Sequence, residues 1–156
     1  MRISKKLLES TEKGKIKAVT STLTLVEIAS SVRRSQKKFS ESGSGTYAPG
    51  AFVRRALGVR NLTYMSLGGE MAFGEQVKVR IPLLFSAALK AVRTLPLKTL
   101  GLLHLASAYT AVRLFREATT FFVTLDDGIL GLRREIKDFL GYPAVTPREL
   151  VSLEGF

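Results

Sequence analysis

Cysteine is absent from the 156 residues, histidine occurs once, and no aspartate stands before Asp126. Without cysteine there is no disulfide, no thiolate metal site and no cysteine nucleophile. One histidine, His104, leaves little room for a serine–histidine–aspartate hydrolase, and neither a phosphate-binding glycine loop nor a dinucleotide fingerprint occurs. Apolar runs are short and interrupted by charge, so no membrane span is expected. Arg2, Lys5 and Lys6 are not followed by the apolar stretch of a signal peptide, which makes the cytoplasm the expected location. There is no internal repeat at a solenoid period. Carboxylates are scarce as well: 13 Asp and Glu stand against 24 Lys and Arg.

What is present fits a folded chain. A hydrophobic share of 46% and a mean hydropathy of +0.14 exclude a disordered polymer. The length suits a single domain over residues 1–156 with a sizeable core. The net charge of +11 recurs in pairs, at Arg33–Arg34, Lys37–Lys38, Arg54–Arg55, Lys78 with Arg80, and Arg133–Arg134. Two readings stay open: a polyanionic partner whose counterions these cations release, or a generally basic, solvated surface.

Taken in order, residues 3–14 read as an amphipathic helix closing at Gly14, and Lys15–Thr20 as a short strand. Thr24-x-x-Glu27 then opens a helix reaching past Arg34. As a capping box, Thr24 and Glu27 would satisfy each other's backbone donors, with Leu23 and Ile28 as a hydrophobic staple. Ser40–Gly50 is a Ser/Gly-rich loop, and Phe52–Leu57 a short helix carrying Arg54 and Arg55. Leu62–Leu67 and Val77–Ile81 alternate as strands of a hairpin on which Glu70 and Glu75 would be solvated. Pro82 suits position N1 of a helix ending near Arg93, with Leu83, Leu84, Ala87, Ala91 and Val92 turned inward.

The organising stretch is Pro96–Asp127. Thr99 is a candidate N-cap, and Leu100, Leu103, Ala106 and Ala111 offer an apolar, small-residue face. The run Thr119–Thr124 is too apolar for an exposed strand and reads as a central, doubly covered strand of a parallel sheet. Asp126 and Asp127 follow it, where open α/β sheets place their sites. Ile129, Leu132, Ile136 and Leu140 then share one helical face that ends at Gly141. Ala144–Val145 is an edge strand, and Thr146–Pro147–Arg148–Glu149 is a second capping box.

Two of these motifs, Gly101–Leu102–Leu103–His104–Leu105–Ala106 and Thr124–Leu125–Asp126, resemble those of the PIN domains. That family comprises metal-dependent ribonucleases and includes toxins of toxin–antitoxin pairs. Thr24-x-x-Glu27 and the closing Pro147–Leu150 segment resemble further family motifs. The likeness covers about residues 3–35 and 82–153 and leaves 36–81 as a variable insertion. It implies a three-layer α/β/α fold with a central parallel sheet. The implied function is metal-dependent endoribonuclease activity, with RNA as substrate, an antitoxin as partner and a homodimer as assembly.

Carried over residue by residue, the resemblance makes Glu27 and Asp126 catalytic metal ligands, with Asp127 assisting and Thr124 supporting. The ion would be Mg²⁺ or Mn²⁺, which hard oxygen ligands suit. Arg33, Arg34, Arg54 and Arg55 would contact RNA. The family's helix-start acid is replaced here by Gly101, and its first acid, on an earlier strand, has no counterpart. With two acids missing, the alternative is a catalytically degenerate module that binds RNA or a protein partner. Gly101 would leave bare N–H groups for a phosphate or mark a simple loss. His104 reads as a structural histidine, and Phe115, Phe121 and Phe122 as core.

Overall fold

Local signals set the helix ends, and packing sets everything else. The structure is a computed structural model describing residues 2–40, 49–65, 70–73, 79–115 and 120–155. Helix α1 (Arg2–Glu12) closes at Gly14, whose φ of +73° is the left-handed conformation expected there. Buried Thr11 donates to the Leu7 carbonyl at 2.9 Å. Its own carbonyl accepts from the Asn61 side chain at 3.0 Å, tying α1 to a distant turn.

Strand β1 (Ala18–Ser21) leads into α2 (Leu23–Ser40), which packs against α3 (Pro49–Leu57). The segment Leu62–Met65 is a strand, β2, and among the described residues it does not pair with Val79–Ile81 as the expected hairpin would. It lies parallel to β1, with Ala18 opposite Leu62 and Ser21 opposite Met65. The hairpin is instead built from β3 (Glu70–Phe73) and β4 (Val79–Pro82), paired antiparallel with Glu70 opposite Pro82. Glu75, Leu67 and residues 41–48 of the loop expected over Ser40–Gly50 lie outside the described residues, while Ser40 ends α2 and Pro49 and Gly50 open α3. Pro82 ends β4 and caps α4 (Leu83–Ala91) from outside, with φ −53° and ψ 140°, so it sits one residue before N1.

Helix α5 (Thr99–Phe115) returns beside α4, and this pair forms the centre of the molecule. Ala87 and Ala91 on α4 and Ala106 on α5 are buried, and such small side chains let the two backbones approach closely. The buried face of α5 runs through Leu102, Leu105 and Ala106. Leu100, expected inward, is 46% exposed, and Val92 beyond α4 is 51% exposed. The stripe is rotated because α5 must contact α4, β1 and the later helix α7 together, not a single sheet.

Strand β5 (Phe122–Val123) pairs parallel with β6 (Ala144–Val145). This pair does not extend into a wide sheet. Among the described residues the strands form three separate two-stranded sheets. The expected central strand therefore has one neighbour, and its two residues divide by the period of two: Phe122 packs on the core while Val123 is 39% exposed. The fold is mixed α/β.

After Asp126 the expected single helix is two, α6 (Asp127–Leu130) and α7 (Arg133–Leu140). They are separated where Leu132 adopts φ −116° and ψ 32°. Ile129 and Ile136 still reach one core with Leu105, Tyr142 and Ala144. Gly141 has the anticipated left-handed φ of 88°. Helix α8 (Pro147–Glu154) begins with the full capping box: Thr146 Oγ1 accepts from Glu149 N at 3.1 Å and Glu149 Oε2 accepts from Thr146 N at 2.7 Å. Arg133 adds a two-pronged ion pair to the same carboxylate at 2.7 and 3.0 Å, clasping α7 to α8.

Three outcomes are expected. Leu105→Ala, which empties a fully buried site, should lower unfolding free energy by about 2–5 kcal/mol. Leu100→Ala should change it by about 0.5 kcal/mol or less; denaturant titration of both variants checks which face of α5 is buried. The Arg133 hydrogen bonds and the Thr146 backbone hold the Glu149 carboxyl down to about 2 from an ordinary 4.5. A group lowered on folding stabilises above its unfolded value and loses that contribution as pH falls through its folded value. Glu149→Gln should therefore flatten the acid-dependent loss of stability between pH 4.5 and about 2, measured as melting temperature against pH.

Candidate functional site

Glu27 lies in the second turn of α2, just past the carboxyl end of β1. Its Oε2 is 3.0 Å from Nε2 of His104 on α5. A carboxylate can only accept, so Nε2 carries the proton and the histidine's orientation is fixed. The Glu27 side chain is 38% exposed and that of His104 22%, so the pair sits at the rim of the fold.

The capping box expected at Thr24 and Glu27 is not formed. Helix α2 begins at Leu23, two residues earlier than a Thr24 N-cap would start it, with Leu23 N donating to Ser21 Oγ at 3.1 Å. The Thr24 hydroxyl is 2.8 Å from that of Thr20. Glu27 is thereby left available to reach across to α5.

Asp126 follows the carboxyl end of β5 and is exposed. One of its oxygens, Oδ1, accepts from Gly128 N at 2.8 Å and from Ile129 N at 3.3 Å. Thr124 Oγ1 accepts from Asp126 N at 3.0 Å. The Thr124-x-Asp126 motif is thus a helix start, in which the aspartate satisfies donors that α6 would otherwise leave open. Asp127, the first residue of α6, is exposed.

Gly101 is buried in the first turn of α5. A Cβ there would meet Leu97 Cβ at 3.7 Å and Ile129 Cδ1 at 3.9 Å, which are ordinary contacts. Nothing in the packing therefore demands glycine. Helix α5 is a shared wall: Gly101 faces the side chain of Ile129, and His104, one turn later, holds Glu27.

One carboxylate oxygen of each acid is engaged within the chain, Glu27 Oε2 with His104 and Asp126 Oδ1 with two backbone N–H groups. Among the described residues no three histidine, aspartate or glutamate side chains come together as a metal-holding group.

The basic candidates fall on one helical pair. Arg33 and Arg34 are exposed on α2, and Arg54 and Arg55 are exposed in the last turn of α3. Arg34 lies along its own helix, donating to Ser30 Oγ at 3.1 Å and Ser31 Oγ at 3.2 Å. Arg33, Arg54 and Arg55 have no ion-pair partner among the described residues. Arg133 is spoken for by Glu149. Two contacts between elements, His104–Glu27 and Arg133–Glu149, escaped sequence reasoning. Only the second had a local signal, a basic helix start preceding a capping-box glutamate.

No known family model, no curated protein and no solved structure matches this chain. No helix among the described residues is long and apolar enough to cross a membrane.

The Glu27–His104 contact should behave as one coupled unit. A double-mutant cycle with Glu27→Gln and His104→Ala is expected to give a coupling of about 0.5–1 kcal/mol, kept modest by solvent screening at the rim. Additive effects in chemical denaturation would show the contact to be energetically silent.

Proposed function

We propose that this protein binds RNA through the α2–α3 face and does not cleave it. The observation that carries this reading is the set Arg33, Arg54 and Arg55: exposed, on two helices packed together, and without carboxylate partners among the described residues. Exposed cations left unneutralised release counterions when they meet a phosphate backbone. The competing explanation for Arg54 and Arg55 is stabilisation of the α3 carboxyl terminus, but this does not extend to Arg33 in the body of α2. The non-cleaving part is supported by Glu27 and Asp126, each of which has one carboxylate oxygen engaged within the chain.

A ribonuclease reading has one observation in its favour. Glu27 and Asp126 both follow carboxyl ends of parallel strands, and their segments meet the first two turns of α5. As placed, Glu27, Asp126 and Asp127 do not come together in one group of three. The antitoxin and homodimer partners rest on the PIN resemblance alone.

The test is fluorescence anisotropy with a single-stranded RNA across a salt series, with and without chelator. Binding should be chelator-insensitive. Each of Arg33→Ala, Arg54→Ala and Arg55→Ala should lower the slope of log affinity against log salt by about 0.7. Unchanged binding in all three variants would overturn the assignment of this face. Mn²⁺- or Mg²⁺-dependent cleavage lost in Asp126→Asn would overturn the non-cleaving part.

A further inference from the structure

A cleft of about 310 Å³ lies between α4 and α5, at the small end of ligand-sized cavities. Leu83 and Ala87 line it from α4, Tyr109 and Thr110 from α5, and each helix adds one cation, Lys90 and Arg113. The walls are mostly carbon. Both cations are exposed, and neither has an ion-pair partner among the described residues.

Arg113 is held in place. Its guanidinium carbon lies 5.2 Å from the centroid of the Tyr109 ring. Tyr109 stacks in turn on Phe139, with centroids 5.0 Å apart, and both pack against the main core. A cation seated on an anchored ring loses less freedom on meeting an anion than one in open solvent. The Thr110 hydroxyl donates to the Ala106 carbonyl at 2.7 Å, so its proton is committed. Charge recognition in this cleft therefore rests on Lys90 and Arg113.

We propose that the cleft binds a small amphipathic carboxylate, with its hydrocarbon body against Leu83, Ala87 and Tyr109 and its head on the flanking cations. Carbon walls gain from covering a hydrocarbon chain, and a carboxylate accepts charge-assisted hydrogen bonds from lysine and arginine. A nucleotide matches less well, because its sugar and base edges would give up water against carbon without replacement donors. The site uses none of the arginines on α2 and α3 and stands independently of RNA binding.

Isothermal titration calorimetry with decanoate below its micelle concentration tests this, with decanol and decyltrimethylammonium as neutral and cationic comparators. Decanoate is expected to bind saturably at one site, decanol to bind about tenfold more weakly, and the cation not to bind. The double variant Lys90→Gln/Arg113→Gln, altered only at exposed positions, should keep its circular dichroism and lose decanoate affinity about tenfold or more. Absence of decanoate binding, equal binding of decanol, or full affinity in the double variant would each overturn the proposal.

Discussion

The close approach of α4 to α5 is the constraint on which the rest of the structure depends. Alanines at 87, 91 and 106 remove the bulk that would hold the helices apart, and Leu105, fully buried, joins Ala91 in the main core. Four further elements take their places from α5. β1 packs on it, α6 reaches Gly101 through Ile129, α7 shares its core, and α2 is bound to it through His104. Larger side chains at the alanine positions would displace not one contact but the common wall.

That wall also decides what becomes of the acidic residues. A carboxylate near a helix start has ready-made donors, and Asp126 accepts two of them. A carboxylate beside an imidazole has another, and Glu27 takes it. Each acid thus lowers its local free energy within the chain. Two acids at the ends of parallel strands resemble a metal site in the one-dimensional pattern, while the hydrogen bonds they make belong to capping and to helix–helix contact.

The parts legible in the sequence were those governed by neighbours a few residues away. Gly14 and Gly141 end helices because only a residue tolerant of positive φ closes a helix so tightly, and Thr146–Glu149 forms its box because both partners lie within one turn. The parallel pairing of β2 with β1, the exposure of Leu100 and the split between α6 and α7 depend on contacts made far along the chain. Alternation marked Leu62–Met65 as a strand but carried no information on its partner. The composition of Thr119–Thr124 suggested burial on both faces, yet Val123 points outward, since apolar character does not reveal how many neighbours a strand has. His104 and Glu27 lie on different helices, and no spacing rule joins them.

The three short sheets leave strand edges unpaired among the described residues, and an unpaired edge is a template on which another backbone can add. Valines at 19 and 123 stand exposed on two of these strands, so such an encounter would be adhesive as well as hydrogen-bonded. The excess of eleven positive charges acts against it: two copies approaching edge to edge repel before their backbones can register. The same basic surface read above as a nucleic-acid footprint therefore also serves as colloidal protection. That protection weakens as ionic strength rises and the repulsion is screened.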